Sequence, residues 1–224
     1  MKAKHIFTLL FSLVTIVGFS QEKKEATQDS ISKKSWHYTP NFMVGIDVLN
    51  LGTSFFSDRK AYQGFVSTRI LPKVHAVADL GFEKNTYTKN NYNAEAQGQF
   101  LKLGAFYMLS RDHQNHFNGF YAGGKMGMSF YNQEYFKIPI RGFQGGDYGQ
   151  AFPKSNQSSY WVEGSVGGRV QLFESKFYID VNVQPRYLLF TTKQDEIYPM
   201  IVPGFGQSST KFNVGFSWNL AYQF

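Results

Sequence analysis

The chain has 224 residues, 23 Lys+Arg against 16 Asp+Glu, and no cysteine. The missing thiols exclude disulfides, thiolate metal centres and a lipid carried on an N-terminal cysteine. The length suits one domain large enough to close a sizeable β structure. Aromatics reach 18% of residues, with 23 Phe and 14 Tyr, and such side chains favour a pleated surface.

The chain opens "MKAKHIFTLLFSLVTIVGFSQEKKE". Lys2 and Lys4 precede an apolar run from Ile6 to Phe19, and Gly18 and Ser20 place small residues before Gln21. This pattern predicts a signal peptide at 1–20, because the run falls short of the roughly 20 residues a membrane helix needs. Cleavage takes the basic count from 23 to 21 against 16 acids, leaving the mature chain net positive. The lysines are scattered along an exported chain, so no nucleic-acid partner is expected. Residues 21–39 are polar, mixed in charge and without periodicity, and read as a flexible periplasmic leader.

From Pro40 to the end, residues 40–224, no stretch carries the i, i+3, i+4 rhythm of an amphipathic helix. Alternation recurs instead. In "FYIDVNVQPRYLL" (177–189), Phe177, Ile179, Val181, Val183, Tyr187 and Leu189 oppose Tyr178, Asp180, Asn182, Gln184 and Arg186. Val162, Val166 and Val170 likewise oppose Glu163, Ser165 and Arg169, and Val74, Ala76, Ala78 and Leu80 oppose His75 and Asp79. The pattern predicts eight strands, near 42–50, 61–71, 74–86, 96–109, 119–135, 158–172, 177–191 and 210–224. "PK" (72–73) and "FESK" (173–176) are tight turns, while 136–157 and 192–209 are long loops. Short turns on one rim and long loops on the other suit an up-and-down antiparallel barrel. The connection at 110–118 is longer than a tight turn should be.

Two folds share this pattern. A soluble lipocalin-like barrel points its apolar residues inward around a ligand, and a membrane barrel points them at lipid. The polar face favours the second. By parity it holds Asp47, Arg69, Asp79, Glu83, Lys102, Lys125, Glu163, Arg169, Asp180 and Arg186, five acids and five bases. Glycines such as Gly45, Gly81, Gly104 and Gly167 sit among them in mid-strand, where each costs about 0.5–1 kcal/mol. A narrow interior crowded with paired charges gives that cost a purpose. The expected class is therefore all-β, an eight-stranded antiparallel transmembrane β-barrel.

The last strand, "KFNVGFSWNLAYQF" (211–224), alternates without error: Phe212, Val214, Phe216, Trp218, Leu220, Tyr222 and Phe224 share one face. A cleavable signal, no cysteine and a terminal aromatic strand resemble bacterial outer-membrane β-barrels of the small OmpA/OmpX-like architecture. "DLGFEKNTY" (79–87), "FLKLGAFY" (100–107) and "VPGFGQSSTKFNVGFSWNLAY" (202–222) resemble small barrel families of Bacteroidetes-type bacteria. The resemblance implies an outer-membrane, multi-pass barrel with both termini periplasmic. It also implies that the seven alternating residues of the last strand are an assembly signal read by the barrel-assembly machinery. Outer-membrane lipid and a periplasmic or surface protein are the other expected partners.

Chemistry is sparse. Eight strands leave an interior that side chains fill, so the expectation is a non-enzymatic, porin-like barrel of the cell envelope with a structural or surface-interaction role and no cofactor or metal. The apolar residues of loops 136–157 and 192–209 are expected to pack over the mouth and plug it. An alternative is a lipid-modifying enzyme, which needs a Ser, a His and an acid within reach of one another. His75, His113 and His116 all fall at the rim expected to face the periplasm, the wrong side for that activity. "HQNH" (113–116) offers two candidate metal ligands and no third. A last alternative is docking of an envelope or export complex through the leader, whose Trp36, His37 and Tyr38 equally suit an interfacial anchor.

Overall fold

The structure, a computed structural model, describes residues 41–89, 91–110, 115, 117–141, 147–194 and 197–224. The expected signal peptide, leader, Trp36–Tyr38 and the two histidines of "HQNH" lie outside them.

In chain order the elements are β1 (Phe42–Asp47), α1 (Val48–Phe56), β2 (Lys60–Leu71), β3 (Val74–Lys89), β4 (Tyr92–Met108) and β5 (Gly119–Arg141). There follow β6 (Asp147–Gln171), β7 (Phe177–Thr191), the two-residue strands β8 (Ile201–Val202) and β9 (Gly206–Gln207), and β10 (Phe212–Gln223). Eight long strands form a closed antiparallel ring in the order β1-β10-β7-β6-β5-β4-β3-β2. Each pairs with its sequence neighbour, and β1 closes the ring by pairing Ile46 with Gly64 on one side and Leu220 on the other.

Period two decides what faces where. On β10, Phe212, Val214, Phe216, Trp218 and Leu220 are 38–61% exposed while Ser217, Asn219 and Ala221 are buried. The outward faces join into one belt. Its middle is largely aliphatic, with Val66, Leu103, Met126, Val166 and Val181 exposed, although Phe216 and Trp218 of β10 stand there too. Aromatics edge it on both sides: Phe130, Tyr160 and Phe190 touch in a row towards the loop end, and Phe177, Tyr222 and Phe224 towards the turn end. From Phe212 to Tyr222 is about ten residue steps, which at roughly 3.3 Å each and a tilt of about 40° spans about 25 Å.

Three features depart from the periodicity reading. The first strand stops at Asp47, three residues before the predicted end, and α1 follows where no helix is expected. Asp47 caps it, its carboxylate accepting from the amides of Leu49 and Asn50 at 3.1 Å and from Asn50 Nδ2 at 2.6 Å. Capping of this kind outweighs a weak β preference in a short segment. The helix lies against β2 and β10 above the shortened strand. There Ser54 Oγ bonds both the amide and the carbonyl of Ala61, at 2.8 and 3.2 Å, standing in for the strand partner β2 lacks.

The predicted connection 87–95 is strand instead: β3 and β4 pair as far as Lys89 and Tyr92. Most of the predicted loop 136–157 is strand too, as β5 and β6 pair out to Arg141 and Asp147. Two hairpins therefore rise above the ring on the β3–β6 side. On the opposite, lower side the segment after β7 folds back to the mouth.

Candidate functional site

The alternation that builds the belt sends every second side chain into the ring. Asp79 (β3) and Lys125 (β5) stand on strands separated by β4, yet Lys125 Nζ lies 2.6 Å from Asp79 Oδ2. Glu163 (β6) gathers three cations: Lys102 Nζ and Arg186 Nε at 3.3 Å, and Lys125 Nζ at 4.0 Å. Trp161 Nε1 also donates to its carboxylate at 3.3 Å. Lower down, Arg169 Nε meets Asp180 Oδ2 at 2.8 Å, and Tyr121 donates its hydroxyl to the other carboxylate oxygen at 2.8 Å. Higher up, Arg59 clasps Glu83 through Nε at 2.7 Å and Nη2 at 3.2 Å.

A ladder along the inner face of β7 links these groups. Asn182 Nδ2 donates to Asp180 at 3.0 Å, Gln184 Nε2 to Asn182, and Arg186 Nη2 to Gln184. Asp47, Asp79, Glu83, Lys102, Glu163, Arg169 and Asp180 are each buried to 3% exposure or less. Such burial is sustainable only where opposite charges meet, because an ion taken out of water unpaired costs several kcal/mol. Two of the ten parity-assigned residues stand apart. Asp47 serves as the cap of α1, and Arg69 makes no ion pair among the described residues, its Nε buried without a hydrogen bond.

The network is closed above and below by apolar floors that parity alone does not reveal. At the turn end Met43, Phe65, Val77, Phe106, Met108, Phe117, Tyr121 and Tyr178 fill the ring. His75 is fully buried there, stacked on Phe106 at 4.9 Å with Phe117 edge-on at 5.2 Å. The Arg169 guanidinium lies over the rings of Phe65, Phe106 and Tyr121 at 5.2–5.8 Å, a cation–π seat that adds to its Asp180 contact.

At the loop end the plug is residues 199–206, "PMIVPGFG". Ile201, Val202 and Phe205 are buried among Phe100, Tyr131, Trp161 and Leu188, with Phe205 edge-on to Trp161 at 6.0 Å. The plug is also tied by its backbone. Gly204 N donates to Glu83 Oε2 at 3.0 Å, and Phe205 O accepts from Arg186 Nη1 at 3.0 Å and Asn213 Nδ2 at 2.9 Å. Gly204 sits at φ +79° directly on Phe100, where a Cβ would lie 2.4 Å from ring Cγ, so only glycine fits. Between the floors a cavity of about 20 Å³ lies among Asp79, Lys125, Arg169 and Asp180, room for about one water.

Two participants escape a reading of strand parity. Arg59 comes from the turn after α1, and its ordinary pKa is raised: burial pulls it down, but the hydrogen bond and charge of Glu83, with the charge of Asp47, outweigh that. The plug comes from a segment with no alternation. Its only sequence signal is an apolar run broken by Pro203, Gly204 and Gly206, a pattern that suits a tight reversal pressed against other residues.

Residues 2–224 match the family described as Domain of unknown function (DUF6048). The chain belongs to this family. A search of curated proteins finds no match. Among solved structures, the crystal structure of the N-terminal β-barrel domain of Pseudomonas aeruginosa OprF is similar over 83% of this chain and 100% of that one, at 9% identity and a TM-score of 0.36.

What this family member's lumen can do follows from its contents. Apart from Asp47 and Arg69 the lumen charges are matched to one another and sealed at both ends, so the interior holds the ring together rather than presenting a wide aqueous path.

Proposed function

We propose that the chain is a non-enzymatic outer-membrane β-barrel protein of the bacterial cell envelope, a side-chain-filled barrel whose role is structural or surface-interactive. The observation that carries this reading is the outward belt, which sets exposed Leu103, Val166 and Val181 between aromatic edges. Soluble proteins rarely expose contiguous apolar patches beyond a few hundred Å², and a belt around the whole ring far exceeds that. Its height of about 25 Å matches the apolar band of outer-membrane barrels. Lipid on the outside also gives the inward charges of Glu163 and Arg169 their reason, since only the interior can pair them.

In this reading the tight turns and both chain ends face the periplasm, and α1, the two raised hairpins and the plug face outward. The exposed stripe from Phe212 to Phe224 then serves twice, as barrel wall and as the signal met by the barrel-assembly machinery. Outer-membrane lipid is the first partner, and the raised hairpins are the surfaces offered to any protein partner.

Cell fractionation with heat-modifiability on a gel tests the proposal. The expected result is outer-membrane recovery and a folded band that shifts after boiling. Recovery as a soluble periplasmic protein would refute it.

A further inference from the structure

The β7–β10 ladder ends at Tyr187 and Phe212, although β7 continues to Thr191. After the Leu188 N to Lys211 O bond of 2.7 Å the two chains diverge, and a groove of about 580 Å³ opens between the free edge of β7 and residues 198–211. Its lower wall is Leu189 and Phe190, both about half exposed and part of the belt. Its back wall is Pro199 and Met200, from the plug. Lys193 and Lys211 also line it, three residues past Phe190 and one residue before Phe212 along the chain. None of the ion pairs among the described residues uses either lysine. The sequence neighbours Asp195 and Glu196 lie outside those residues. Lys193 Nζ lies 4.3 Å from the ring centroid of Tyr198, another lining residue.

We infer that this lateral groove binds a single phosphorylated lipid, its acyl chain on Leu189 and Phe190 and its phosphate between Lys193 and Lys211. The groove opens sideways onto the belt, so a chain can enter from the membrane. The cations sit where head groups lie, just outside the hydrocarbon, as lysines at membrane interfaces do. A zwitterionic head would gain less than an anionic one from two ammonium groups that make no ion pair among the described residues.

The inference rests on the membrane-barrel reading, so the test begins with full-length protein folded in neutral detergent and verified by heat-modifiability. A protein that fails that check refutes the barrel, not the groove. Native mass spectrometry then compares retention of phosphatidylglycerol with phosphatidylcholine of the same chains. The expected result is one bound phosphatidylglycerol, preferred by about tenfold. The variant Lys193→Gln/Lys211→Gln should lose the preference while still folding, and Ser209→Trp, at an exposed lining position, should reduce retention of both lipids. Equal retention of the two lipids by wild type, retention unchanged in both variants, or displacement by excess inorganic phosphate would overturn it.

Discussion

Glu83 and Gly204, 121 residues apart in the chain, are joined by a 3.0 Å hydrogen bond from the glycine amide to a carboxylate 1% exposed. This bond couples the lumen charges to the plug. The same carboxylate neutralises Arg59, so removing it uncouples two elements at once. Glu83→Ala should cost about 1–3 kcal/mol in urea unfolding from vesicles, because the partly exposed Arg59 loses its partner and the Gly204 amide loses its acceptor. It should also expose residues 199–206 to added protease, whereas Glu83→Gln, which keeps an acceptor for the Gly204 amide, should leave the plug protected. Equal protease resistance in wild type and Glu83→Ala would show that apolar packing alone holds the plug.

Glu163 and Lys102 predict an asymmetry. Lys102 is fully buried, and its ammonium makes no well-oriented hydrogen bond, while Glu163 keeps Arg186 at 3.3 Å if Lys102 is lost. Lys102→Met should therefore change stability by less than about 1.5 kcal/mol, since Glu163 still has Arg186 and Lys125 as partners and methionine keeps the packed volume. Glu163→Gln leaves Lys102, Lys125 and Arg186 crowded together without their common anion, and about 3–5 kcal/mol should be lost. Equal costs for the two changes in denaturant titrations would contradict the shared-anion geometry.

Val181 and Asn182 are adjacent and face opposite ways, 48% and 6% exposed. Val181→Arg should destabilise the folded state in lipid by about 2–4 kcal/mol, the penalty for a cation near mid-bilayer. Folding equilibria in phosphocholine vesicles measure it. A change within about 0.5 kcal/mol would mean that this face meets water.

Phe173 and Glu174 both adopt left-handed backbone, at φ 46° and 55°, in the β6–β7 turn. Side chains other than glycine and asparagine pay about 1 kcal/mol or more there. Phe173→Asn/Glu174→Gly should raise stability by about 1 kcal/mol, seen as a higher urea midpoint at unchanged slope.

The belt and its opposite face were legible in the sequence because β side chains alternate strictly. Within its own strand each of Asp79, Lys125 and Glu163 falls on the charged face and each of Val166 and Val181 on the apolar one, whatever the strands' partners. The limits of strands were less legible. Whether 136–157 forms a hairpin depends on pairing across a turn, and β5 and β6 continue to pair with no change of composition to announce it. The helix at 48–56 was hidden because one capping carboxylate, Asp47, redirects a chain whose alternation would otherwise carry on.

By itself, then, the order of residues determined an outward apolar face, an inward charged one and eight crossings, since those depend only on the two-residue repeat along each strand. Only the tertiary structure decided that Glu163 would serve three cations, that Arg59 would reach Glu83 and that Phe205 would close the mouth. Each of those contacts spans the ring, and distances across a closed sheet depend on which strands curl to face one another, which no local repeat encodes.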